Sequence, residues 1–267
     1  MASDATYRAA YRGAACAIFA HIAILFAGFT ILGIAFDFPD VLRWPAPERL
    51  ASFVAKQHIV QPTYWLLAMT GFTQILIAGF VYRSFRDRDR STLFFALLFG
   101  ILCGILQTMG FIRWAILIPY LATQMAHSGP AGTIADTIGL LEGAFNRYAG
   151  MALGEHVANI CLGLWTALTG VALLQERLID RRVAWAGVGL GIIAGLLALE
   201  QLGIAPTLFE ALVDYGFPAW AVWLLVLAIS LLRTPPATGT APRLGWGTAA
   251  WAGTVYVAMI APLALGE

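Results

Sequence analysis

Charge is scarce in this chain. Asp, Glu, Lys and Arg make up 12% of its 267 residues, about half of what a soluble domain carries, so its outer surface cannot be built mainly for water. Lys56 is the only lysine, which leaves the last apolar segment without the amine that a retinal Schiff base needs. The three cysteines, Cys16, Cys103 and Cys161, each fall inside an apolar run. An odd number so placed excludes a disulfide framework, and the spacing matches no zinc or iron–sulfur pattern, so all three read as small buried hydrophobes. There is no nucleophile elbow, phosphate loop, dinucleotide fingerprint or HExxH signature. The formal net charge is +1, and the arginines sit in short clusters rather than along one stripe, so nucleic acid is excluded as a partner.

What the chain has is hydrocarbon-compatible text. Hydrophobic residues make up 60% of it and the mean hydropathy is +0.78. Apolar runs of about twenty residues, each enough to cross a bilayer, alternate with short polar turns. The expected fold is therefore all-α, a single polytopic transmembrane bundle of seven spans with six as the alternative, at about 14–36, 57–82, 91–118, 149–174, 183–202, 217–232 and 247–263. The first run is longer than the core of a signal peptide, and Asp37, Phe38 and Pro39 follow it in place of a small-residue cleavage site. Residues 37–56 read as a Pro-rich connector, Pro119 as the end of the third span, and 138–145 as a short surface helix.

Arginine distribution orients the bundle. With alternating crossings, eleven arginines fall on one side (Arg8, Arg12, Arg83, Arg86, Arg88, Arg90, Arg177, Arg181, Arg182, Arg233 and Arg243). Arg43, Arg49, Lys56 and Arg147 fall on the other, with Arg113 near it inside a span. The positive-inside rule then predicts a cytoplasmic N-terminus in a bacterial inner membrane and a C-terminus outside.

This orientation gathers the polar residues of the spans toward the outer face. His58, Gln107, Arg113, Glu155, His156, Asn159, Glu200 and Gln201 all come out there, and intramembrane polar groups are costly enough to need partners. Arg113 and Glu155 end and begin consecutive antiparallel spans, which predicts a pair between them. That pair serves either a charged pocket or the docking of two helices. Glu200 is a second candidate carboxylate. Tyr64, Trp65, Tyr120, Phe145 and Tyr148 are candidates to line a cavity with polar and apolar walls. His58 and His156 begin two spans at similar depth, as two axial ligands of a haem b would, and His127 with Glu155 would complete a three-histidine metal site. Isolated hydrogen-bonding histidines are the plainer reading. His21 reads as a helix–helix contact.

Gly187, Gly191 and Gly195 recur at four-residue spacing, and Gly163, Gly170, Gly100 and Gly104 mark neighbouring spans. Such ridges admit close helix packing, either within the bundle or in a homodimer.

The segments Gly110-Phe111-Ile112-Arg113-Trp114, Pro119-Tyr120-Leu121-Ala122, Leu153-Gly154-Glu155-His156 with Leu164-Trp165, and Trp185-Ala186-Gly187-Val188-Gly189-Leu190 resemble a broad family of bacterial multi-pass membrane proteins known only as a domain of unknown function. The resemblance covers 7–204 and implies a helical membrane protein of about six spans, with the tail beyond Leu232 as an addition. It supplies no activity. The expectation is an accessory, assembly or sensory subunit, or a binder of a small lipophilic ligand near the outer face. Its partners would be membrane lipid, such a ligand, a larger membrane complex or a second copy. A small-solute transporter or channel, and a haem- or metal-containing redox protein using His58 and His156, are the alternatives.

Overall fold

The computed structural model describes residues 4–85, 90–128, 132–202 and 206–234, and the isolated positions 250, 251, 254 and 257. Among the described residues there is no strand. The helices are α1 (Asp4–Phe36), α2 (Ala46–Ser84), α3 (Ser91–Ser128) and α4 (Thr133–Phe145), then a π-helical segment (Asn146–Val157), α5 (Ala158–Glu176), α6 (Arg181–Leu196) and α7 (Pro206–Arg233). Six described helical stretches are long and apolar enough to cross a membrane, counting Thr133–Glu176 as one. Large apolar side chains cover their outer faces, with Ile34 84%, Ile116 68% and Phe94 57% exposed. That is the surface a lipid solvent selects. The chain is a multi-pass integral membrane protein; the seventh segment, 247–263, lies outside the described residues except for single positions.

Several elements outrun their expected limits. Helix α2 begins at Ala46, inside the segment read as a connector, and a kink at Lys56 (φ −119°, ψ 15°) separates this extension from the apolar part. Helix α7 begins at Pro206, ahead of the span expected from 217. Helix α3 continues through Pro119 to Ser128, and the reason is local. Proline lacks the amide hydrogen that would bond the carbonyl of residue 115. Gln61 Nε2 donates to Ala115 O at 2.9 Å in its place, and Gln57 Nε2 holds Gln61 by donating to its Oε1 at 2.9 Å. At about 1.5 Å per residue, the 39 residues of α2 and 38 of α3 run to nearly 60 Å, roughly twice a hydrocarbon core. The polar ends of these helices therefore extend past the lipid.

Contacts divide the chain into two compact units. The first comprises residues 1–22, 73–104 and 156–267. Helices α5 and α6 form a tight hairpin there. Arg177 closes α5 in the left-handed conformation (φ 52°, ψ 36°), and the Asp180 side chain caps α6 by accepting from Arg182 N at 2.8 Å. The small residues are consumed in this packing. A Cβ at Gly163 would lie 2.5 Å from Gly195 N, and one at Gly170 would lie 2.7 Å from Val188 N. Gly187 admits the Trp223 ring, whose Nε1 donates to Val183 O at 2.9 Å. The glycine ridge is thus used inside the fold, as one of its two expected roles requires.

The same unit has a buried polar core. His21 Nδ1 hydrogen-bonds Thr73 Oγ1 at 2.8 Å, and its ring meets the edge of Trp220 at 6.0 Å. Trp220 Nε1 donates to Thr166 Oγ1 at 3.0 Å. His21 is a helix–helix contact, as its apolar neighbourhood suggests. Cys103 and Cys161 are buried, but Cys16 is exposed, because its position on α1 turns outward.

The second unit comprises residues 23–72 and 105–155. Its core is aromatic: Trp114 stacks on Tyr64 with centroids 4.7 Å apart and planes at 8°, and Phe36 meets it edge-on at 5.5 Å. Val41, Leu50, Phe53, Leu121, Met125, Ala135 and Ile138 continue this core toward α4. The amphipathic α4 buries Ala135, Ile138 and Glu142 and leaves Leu140 75% exposed. Asp37, left-handed at φ 52°, ends α1 and pairs with Lys56 at 3.2 Å.

Candidate ligand site around Arg113

Helix α3 carries the site. Spacings of four and three residues place Gln107, Phe111 and Trp114 on one helical face, and Tyr64 of α2 packs against the two rings, 6.5 Å from Phe111 and 4.7 Å from Trp114. Arg113 lies beside this face with its Cζ 5.8 Å from the Trp114 ring centroid. Its Nη1 donates to Gly110 O at 2.6 Å and its Nη2 to Asn146 Oδ1 at 2.8 Å.

The π-helical segment packs directly against α3 here. π-helices are rare, usually a single turn, and recur at functional sites; here one runs from Asn146 to Val157. Two glycines set its distance from α3. A Cβ at Gly150 would lie 2.6 Å from Arg113 Cζ, and one at Gly154 would lie 2.8 Å from Gly110 Cα. Any side chain at Gly150 would evict the guanidinium.

Three polar atoms of this region are buried and have no hydrogen-bond partner among the described residues: Tyr64 Oη, Gln107 Oε1 and Arg113 Nε. Leaving such a group unsatisfied costs about 1–3 kcal/mol, more where charge is involved. Tyr64 is only 1% exposed.

The direct partners of Arg113 are neutral oxygens rather than the expected Glu155 carboxylate. The direct buried ion pair joins Arg49 and Glu142. Arg49 Nε donates to Glu142 Oε1 at 2.9 Å, and its Nη2 donates to Glu142 Oε2. Arg49 Nη1 also donates to Leu42 O at 2.7 Å and Trp44 O at 3.0 Å. Sequence reasoning placed both residues in outer segments and missed the pair.

Gln107, Arg113, Glu155, His58 and His127 belong to the second unit, and His156, Asn159 and Glu200 to the first. His58 and His127 are exposed. His156 Nδ1 donates to Ala198 O at 2.7 Å, the plain hydrogen-bonding role. Among the described residues no three His, Cys, Asp or Glu side chains are gathered as a metal ion would require. His58 is on α2, His127 on α3 and His156 in the π-helical segment. Glu200 is half-buried in a 3₁₀ turn, Leu197–Leu202; the Gln201 side chain lies outside the described residues. Of the five aromatics expected to line a cavity, Tyr64 is interior. Trp65, Tyr120, Phe145 and Tyr148 are 51%, 61%, 43% and 66% exposed. Asn146 and Gly150 were missed; the small-xxx-small pair Gly150 and Gly154 was the available signal.

Fold and site define a polytopic α-helical membrane protein with an arginine held in an aromatic interior. The chain belongs to the family described as domain of unknown function DUF4386, whose profile matches residues 14–231. The match ends before the segment 247–263. Neither a curated protein nor a solved structure matches the chain.

Proposed function

We propose that this protein binds a small lipophilic molecule at the Arg113 site, with no chemistry of its own, and serves as a sensory or accessory component of a bacterial cytoplasmic membrane. The observation that carries this reading is the trio of buried polar atoms, Tyr64 Oη, Gln107 Oε1 and Arg113 Nε, without partners among the described residues and set in an aromatic wall. A polar head with an apolar body would satisfy both parts of such a wall. Arginine asymmetry supports a cytoplasmic N-terminus and a site toward the outer face.

Native mass spectrometry of protein released from nanodiscs is the direct test. One bound species at unit stoichiometry should accompany the wild type and lose occupancy in Gln107→Leu. A bare protein mass, or an adduct indifferent to that substitution, counts against ligand binding. For orientation, cysteines placed at His127 and Asp87 in a Cys16→Ser background should label from opposite sides of sealed vesicles. Labelling from one side would overturn the topology.

A further inference from the structure

The direct partners of Arg113 are unusual for an arginine inside a span. Both are neutral, the carbonyl of Gly110 and the amide oxygen of Asn146, and the neighbouring donor Nε–H has no partner among the described residues. The pattern leaves one edge of the guanidinium, formed by Nε–H and Nη2–H, half used. That edge matches two oxygens of a carboxylate or phosphate. Hydrogen bonds between ionised partners are roughly twice as strong as neutral ones. An oxyanion would therefore displace the Asn146 amide oxygen from Nη2 and take Nε–H as well. The Tyr64 hydroxyl, 1% exposed and likewise without a partner among the described residues, is a further donor beside the same aromatic face. A ligand cation would instead meet the Arg113 charge.

Resting on the reading of this site as a ligand pocket, we infer that the head group it takes is an oxyanion, a carboxylate or phosphate ester carried on an acyl chain. Arg113 binds it through its side edge and Tyr64 donates the additional hydrogen bond. The Arg49 charge is matched directly by Glu142 and is not available to the ligand.

Brominated lipids test this, because bromine quenches nearby tryptophan and Trp114 stacks on Tyr64. The probes are 9,10-dibromostearate, its methyl ester and the corresponding dibromostearoyl lysophosphatidate, titrated into the detergent-purified protein. The difference between wild type and Trp114→Phe isolates the Trp114 signal. Dibromostearate should quench saturably, with the ester at least about 10-fold weaker, the margin expected when a charge-assisted pair is lost. Arg113→Gln should erase the preference for acid over ester. Tyr64→Phe retains the stacked ring and should weaken the acid several-fold, which keeps the test informative if Arg113→Gln fails to fold. Tighter binding of the carboxylate or of the phosphate assigns the source as free fatty acid or phospholipid, and either outcome supports the oxyanion. Equal affinity for acid and ester overturns the oxyanion and leaves a ligand pocket standing. Absence of saturable quenching by every probe overturns both.

Discussion

The Arg49–Glu142 pair closes the second unit, and its removal should be felt throughout that unit. Arg49 is 5% and Glu142 1% exposed, so neither charge can turn to solvent if the other is lost. Deleting one member of a buried pair costs about 3–5 kcal/mol, because the survivor remains charged and unmatched. Arg49→Met should lie at the upper end, since it also strands Leu42 O and Trp44 O, which Arg49 Nη1 now serves. Glu142→Gln should cost less, because an amide oxygen still accepts from Arg49 Nε. At about 2–4 °C per kcal/mol for a chain of this size, Arg49→Met corresponds to a loss of roughly 6–20 °C in thermal midpoint. The double variant Arg49→Met with Glu142→Leu should recover most of it, since apolar replacement of a whole buried pair is often neutral. Thermal unfolding of the wild type, Arg49→Met, Glu142→Leu and the double variant in one detergent, read as a double-mutant cycle, measures the coupling. A single substitution that moves the midpoint by less than about 2 °C, or a double variant as unstable as the two losses added, would refute the argument.

Three further outcomes follow from the geometry. Gly163→Leu or Gly191→Leu should prevent α5 and α6 from packing, since a Cβ at either already meets backbone or Ala167. Gly189→Ala, with nothing within 4 Å, should gain up to about 1 kcal/mol of helix propensity; thermal midpoints of the three decide. Gln74 is fully buried, and neither of its amide atoms has a partner among the described residues, so Gln74→Met should stabilise by about 1–3 kcal/mol. A loss of stability would instead reveal a polar partner in the span interior and favour the transport alternative. Arg113→Ala should reduce the yield of folded protein in gel filtration far more than Arg147→Ala, because Arg113 braces the π-helical segment through Asn146 and Gly150 while Arg147 is exposed. Equal yields would mean that the guanidinium supports nothing.

Hydropathy alone identified the class of this protein and six of its crossings, because the cost of placing charge in hydrocarbon is paid residue by residue and is legible along the chain. The same cost marked Arg113, Glu155 and Gln107 as residues needing an account. Tertiary structure decided who meets whom. Pro119 reads as a stop until Gln61, 54 positions away, is found donating to the carbonyl that the proline leaves bare. Arg49 reads as a loop charge until α4 brings Glu142 to it across 93 positions. Gly150 reads as one small residue among many until the π-helical segment sets it against the Arg113 guanidinium. Burial energy is a property of single side chains and can be summed along a sequence, whereas a hydrogen bond belongs to two atoms whose meeting only the folded chain arranges.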